Sequence, residues 1–141
     1  MSSAKSRSPT LQAIADRIRA AGGYRWVGLY DVDRTSSTVK NVVWSGPGAP
    51  EYPVFPITSG LTSAAISTGK TINVGNVASD PRYLTAFGST KSEIIVPVLN
   101  QPGTFVVGTI DVESENLDAF TTEIQQLLEE CSEVIRVLWR A

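Results

Sequence analysis

The alternation of apolar and polar positions divides the chain into short segments with different periods. Leu11, Ile14, Ala15 and Ile18 fall at helical spacing, Ser8 is placed to cap, Pro9 suits a first turn and Gly22-Gly23 ends the run. These features predict an amphipathic helix. "YRWVGLYDV" then switches to a period of two: Trp26, Gly28 and Tyr30 share one face of a strand, Val27 and Leu29 the other. "STVKNVVWSG" is a second strand, reached through the polar turn "DRTSS".

A Pro- and Gly-rich loop, "GPGAPEYP", leads into the short strand "VFPI". "SGLTSAAISTGK" is a short helix with Ser59 as its cap and Gly69 beyond its end, and "TINVGNV" is a further short strand. Two apolar runs, "SEIIVPV" and "VVGTIDVES", flank the turn "NQPG" and predict a hairpin. The closing helix carries Ile124, Leu127, Leu128, Cys131, Ile135 and Leu138 as a stripe, with Thr121 or Thr122 at its head. Hairpin connections dominate this order, which predicts an α+β domain built on an antiparallel sheet.

Length and composition bound the picture. A chain of 141 residues, 42% hydrophobic and 18% charged, has the size of one domain, expected over 9–141 behind a flexible 1–8. The net charge of −2 and scattered basic residues give no surface for nucleic acid. No apolar run approaches the roughly 20 residues of a membrane helix, and the N-terminus has no apolar signal core, so a cytoplasmic location is expected. There is no histidine and one cysteine, Cys131, on the apolar stripe, where it reads as structural. Without imidazole or a second thiol, neither a Cys/His metal cluster nor a Ser-His or Cys-His pair can be built, and no metal or cofactor is expected. No Gly-rich nucleotide loop appears either.

The chemistry of interest lies on the hairpin. Strand parity puts Glu93 on one face of its strand, and Asp111 and Glu113 together on one face of the next. Such acids are commonly solvated strand ends. If they are enclosed, a cation relieves their mutual repulsion best. Trp26 and Tyr30, with Gly28 leaving room between them, are either core or one wall of a small pocket suited to an ammonium group.

At these residues the chain resembles a GAF domain and, more narrowly, the free methionine-(R)-sulfoxide reductase family. "RWVGLY" is similar to that family's Asn-Trp-x-Gly-Phe-Tyr strand. "SEIIVPV" is similar to its Ser-Glu-Ile-Val-x-Pro strand, and "GTIDVES" followed by "AFTTEI" to its Gly-x-Leu-Asp-Ile-Asp-Ser strand and helix start. The resemblance implies a sheet of about six strands, with the terminal helices on one side making a homodimer contact and a ligand pocket on the other. It implies that Glu93, Asp111 and Glu113 hold a substrate ammonium and that Trp26 and Tyr30 contact its side chain. Thr62 and Ala86 stand where the family has cysteines. Sulfoxide reduction by that route needs a thiolate and a resolving thiol.

The sequence therefore predicts a non-catalytic, sensor-like domain that binds a small free amino acid or related amine through Trp26, Tyr30, Thr62, Glu93, Asp111 and Glu113. The short-helix start at Ser59–Thr62 offers backbone N–H groups to a ligand carboxylate. The competing readings are a diverged reductase with a relocated thiol and a dimerisation or protein-interaction scaffold.

Overall fold

The structure, a computed structural model, describes residues 4–83 and 88–139. Three helices, α1 (Ala4–Gly22), α2 (Gly60–Thr68) and α3 (Thr122–Ile135), accompany six strands. The strands are β1 (Trp26–Asp33), β2 (Thr38–Ser45), β3 (Val54–Pro56), β4 (Ile72–Val74), β5 (Ser92–Leu99) and β6 (Val106–Ser114). They form one antiparallel sheet in the order β3-β2-β1-β6-β5-β4, the α+β architecture expected from the pattern. Because β6 inserts between β1 and β5, residues distant in sequence become lateral neighbours at the centre of the sheet.

The alternation decides the two faces. Val27 and Leu29 of β1, Ile94, Val96 and Val98 of β5, and Ile110 and Val112 of β6 all point one way. There they are covered by Leu11 and Ala15 of α1 and by Leu128 and Ile135 of α3. α1 lies over β1 and β2, and α3 over β5. Burial of this aliphatic layer is the main stabilising term of the domain, at roughly 1.5–3 kcal/mol for each fully buried side chain.

The helix ends follow their capping residues, with one correction at each terminus. Thr121 caps α3, its hydroxyl accepting from the Ile124 N–H at 3.3 Å, and Gly69 closes α2 in the left-handed conformation at φ 68. α1, however, begins at Ala4, so Pro9 sits inside it and residues 4–8 are helix rather than flexible chain. Tertiary contacts hold this extension: Arg7 donates to Asp31 Oδ2 at 2.5 Å and to the Leu138 carbonyl at 3.3 Å, and stacks over the Trp139 ring at 5.7 Å. These bonds offset the interior bond that Pro9 cannot make. The same clamp buries Trp139 against the backbone of Gly108, where a Cβ would strike the indole, so Trp139 is core and not part of an open apolar face. Leu127, on the predicted stripe, is exposed along with Val134 and Val137. Among the described residues no helix is long and apolar enough to cross a membrane.

Candidate functional site

Register aligns the second face of the sheet in rows. Trp26 pairs with Glu113, which pairs in turn with Glu93, so one row crosses β1, β6 and β5. The next row holds Gly28, Asp111 and Ile95, and the one after it Tyr30, Thr109 and Pro97. The three acids are thereby gathered at the centre of the sheet. Their relative exposures are 5% for Glu93, 8% for Asp111 and 2% for Glu113, which excludes solvated strand-end acids.

The aromatic wall depends on a missing side chain. A Cβ on Gly28 would collide with the Trp26 ring and reach within 2.9 Å of Tyr30 Cε1, so glycine lets both rings lean over Asp111's row. Trp26 and Tyr30 lie 6.3 Å apart between centroids, and Tyr30 meets Phe55 of β3 edge-on at 5.8 Å. The Trp26 indole N–H donates to the Gly48 carbonyl at 3.0 Å, fixing the Pro- and Gly-rich loop that carries Pro50 and Tyr52 over the cleft. From the far side, α2 presents Ser59, Gly60, Leu61 and Thr62. Ser59 makes no side-chain cap bond, which leaves the first N–H groups of α2 without that partner. These walls bound a cleft of about 430 Å³, counted to its open mouth, with Glu93, Asp111 and Glu113 at its floor.

The electrostatics of the floor are unusual. One oxygen from each of the three acids lies within 4.8 Å of the others, close enough to hold a cation between them. Among the described residues no basic side chain lines the cleft. Burial pushes the Glu93 carboxyl well above the ordinary carboxylate range, helped by the neighbouring Asp111 charge and by a hydrogen bond between the two. Burial also raises Asp111 to about 6, opposed by that same hydrogen bond. Glu113 is raised to about 8 by burial and by the Asp111 charge, against the lowering effects of Thr90 and Arg25. Thr90 donates to Glu113 Oε1 at 2.5 Å, whereas Asp111 Oδ1 is buried without a hydrogen-bond partner. An unpaired oxygen at the floor of a cleft is a vacant acceptor.

All six residues expected from the sequence, Trp26, Tyr30, Thr62, Glu93, Asp111 and Glu113, line this one cleft. The pattern did not indicate Pro50, Tyr52 or Phe55, which also line it, nor Thr90, which anchors Glu113. The aromatic in "VFPI" beside a Pro- and Gly-rich loop was a usable signal for Phe55; nothing local distinguishes Thr90. Ala86 lies outside the described residues. Cys131 sits on α3, packed against the helix-covered core on the opposite side of the sheet, and burial raises its thiol.

The chain is similar to known proteins over most of its length. It is 29% identical over 112 residues to the free methionine-R-sulfoxide reductase of Saccharomyces cerevisiae, covering 78% of this chain and 60% of the yeast protein's length. The type II free methionine-R-sulfoxide reductase of Thermoplasma acidophilum superposes with a TM-score of 0.89 at 29% identity, covering 96% of this chain and 93% of that one. The free methionine-R-sulfoxide reductase of Neisseria meningitidis, solved with its substrate, gives a TM-score of 0.82 at 29% identity, covering 92% of this chain and 75% of that one. These findings correct the expectation of a non-enzyme. That expectation rested on two side chains, Thr62 and Ala86, whereas the similarity to proteins named as enzymes extends through nearly the whole fold and points toward enzyme function. Residues 6–138 match the GAF domain family, and the chain belongs to it.

Proposed function

We propose that the cleft binds a free amino acid of the methionine and methionine sulfoxide class, with the ligand's ammonium group among Glu93, Asp111 and Glu113. The observation that carries this reading is the trio of buried carboxylates, one with an unpartnered oxygen, in a cleft that no basic side chain lines among the described residues. An ammonium nitrogen with three acceptors at about 2.8 Å in tetrahedral directions separates them by about 4.6 Å. The spacing here, within 4.8 Å, suits that arrangement. The first N–H groups of α2 suit the ligand carboxylate, and Trp26, Tyr30 and Phe55 suit a flexible thioether or sulfoxide side chain. Thermal-shift and calorimetric titration with free methionine, its two sulfoxide epimers and N-acetylmethionine tests the reading. The free amino acids bind and the acetylated one, lacking an ammonium, does not; equal binding of both removes the ammonium from the account.

A second reading, catalysis of sulfoxide reduction at this cleft, is supported by the named relatives. The reaction needs two thiols: a thiolate attacks the sulfoxide sulfur, a sulfenic acid forms as the thioether departs, and a second thiol condenses with it to give a disulfide and water. Cys131 is the chain's single cysteine and lies across the sheet from the cleft, so both thiols come from outside, entering at the mouth. Turnover of free methionine-(R)-sulfoxide with dithiothreitol that survives Cys131→Ser is the expected result. Loss of turnover in a folded Cys131→Ser variant would instead place the attacking sulfur in the chain.

Homodimerisation through the terminal helices belongs to the same proposal. Leu127, Val134 and Val137 expose their side chains along α3 and its following turn, and a second copy would cover them. Light scattering after size exclusion gives twice the chain mass if this holds.

A further inference from the structure

Glu113 is gripped from outside the cleft. Its Oε1 accepts from the Thr90 hydroxyl at 2.5 Å, and both side chains are buried. Thr90 is not among the residues that line the cleft, so whatever it does to a ligand it does through Glu113. The backbone holds both partners in place. Beside Thr90, the Lys91 N–H donates to the Ser114 carbonyl at 2.8 Å, and the Lys91 carbonyl accepts from the Val77 N–H at 2.9 Å. The Glu113 carbonyl accepts from the Arg25 N–H at 3.0 Å. Across the sheet, Trp26 stands beside Glu113 on one side and Glu93 on the other.

A glutamate side chain loses more rotamer freedom than most when it is fixed, and left alone it can turn away from a badly fitting ligand. With one oxygen tied to Thr90 and its neighbours closed in, Glu113 keeps its place. The tie does not use it up: a carboxylate has about four acceptor sites, so Glu113 can take the Thr90 bond and a bond from a ligand together.

We propose that Thr90 makes the cleft selective for a primary ammonium, by fixing Glu113 as the third acceptor so that it cannot withdraw from a nitrogen carrying an alkyl group. This rests on the reading of the cleft as an ammonium site. A primary ammonium has three N–H groups for the three acids, whose oxygens lie within 4.8 Å of one another. An N-methylated amine has one N–H fewer, and its methyl group must face a carboxylate. A free Glu113 would swing aside and let the methyl in. A tethered one stays, buried and unanswered, and a charged acceptor left without its donor costs more than the missing bond alone. Thr90 is thus a positioning residue that sets specificity. Burial and the Asp111 charge push the Glu113 carboxyl up, and the Thr90 bond pulls the other way, toward the ionised form that accepts from an ammonium.

Calorimetric titration of the full chain with free methionine and with N-methylmethionine, which keeps a positive charge but has one N–H fewer, tests this. The unmutated chain should prefer methionine by about tenfold or more, a measurement that needs no variant. Thr90→Val, close in shape but without the donor, should weaken methionine by about tenfold and N-methylmethionine by less than about twofold, so the preference falls several-fold. Thr90→Ser restores the hydroxyl and should restore the preference. In a Glu113→Gln background Thr90→Val should no longer alter the preference, because the group it positions has lost its charge. A merely structural Thr90 would weaken both ligands alike. Equal binding of the two ligands by the unmutated chain, an equal loss or no loss in Thr90→Val, or a Thr90→Ser protein no more selective than Thr90→Val would overturn the proposal while leaving the ammonium site standing. No binding of methionine or either sulfoxide would remove both.

Discussion

The two faces of the sheet come from the same three central strands, residue by residue in alternation, and they perform opposite tasks. Toward α1 and α3, β1 presents Val27 and Leu29, β5 Ile94, Val96 and Val98, and β6 Ile110 and Val112, and this aliphatic layer is buried against further apolar side chains. Toward the cleft, the alternate positions of those strands carry Trp26, Gly28, Tyr30, Glu93, Asp111 and Glu113, with three carboxyl groups buried in a cleft that no basic side chain lines among the described residues. The first face gains free energy from each group it removes from water; the second loses some for each acid it holds. Comparing them separates what the chain needs for folding from what it retains for a ligand.

The largest effect should come from the helix-covered face. Ile110→Ala removes a fully buried side chain at the centre of the core and should cost about 2–5 kcal/mol, read as a fall in the denaturant midpoint, with little change in ligand affinity at temperatures where the variant is folded. If the loss were below about 1 kcal/mol, the central core would not be the stabilising layer described here.

The cleft face should respond in the opposite sense. Asp111→Asn should reduce amine affinity by roughly 100-fold, corresponding to about 3 kcal/mol, while leaving thermal stability unchanged or raised, because it removes a carboxyl whose charged form burial disfavours and whose Oδ1 has no hydrogen-bond partner. A strongly destabilised Asp111→Asn protein with normal binding would reverse the assignment of the two faces.

A smaller effect is expected in the pH profile of stability. The folded-state values of about 6 for Asp111 and about 8 for Glu113 lie above those of the unfolded chain, near 4. The folded protein therefore binds more protons than the unfolded one between these limits. The contribution of these groups is fully present below about pH 4 and is lost as pH rises through about 6 and then about 8. Urea midpoints of the ligand-free protein should fall across this window. Glu113→Gln should flatten its upper part, gaining about 1–2 kcal/mol on the alkaline side relative to the unmutated chain. An unchanged profile in that variant would mean that Glu113 is not the group titrating there.

The smallest effect on folding should lie outside both faces. Val134→Ser, on the exposed side of α3, should shift unfolding by no more than about 0.5 kcal/mol in dilute protein and yet weaken any association between copies. Light scattering across a concentration series would detect the latter.

Much of the cleft was visible in the sequence because strand parity is a strict period of two. Once "YRWVGLYDV", "SEIIVPV" and "VVGTIDVES" are read as strands, the placement of Trp26 with Tyr30 and of Asp111 with Glu113 follows without knowledge of neighbours. Helix ends were legible where a residue's own conformation decides them, as at Gly69 and Thr121. The start of α1 was not, because its extension past Pro9 depends on Arg7 meeting Asp31 and Trp139, which come from elsewhere in the chain. The burial of Trp139 was not legible for the same reason: its partner is the bare backbone at Gly108, a contact no local pattern encodes. Thr90 likewise acquires its role only through Glu113, 23 positions away.

The sequence by itself determined which side chains share a face, that one thiol and no imidazole are available, and that acids stand on apolar strands. Only the tertiary structure decided that these acids meet. β6 inserts between β1 and β5, and this lateral order, set by which apolar surfaces pack best under the two helices, brings Glu93, Asp111 and Glu113 within 4.8 Å and covers them with Trp26, Tyr30 and Phe55. A local period fixes the direction of a side chain relative to its own strand; the electrostatic environment that gives a carboxyl its chemistry is a sum over neighbours, and the neighbours are chosen by packing.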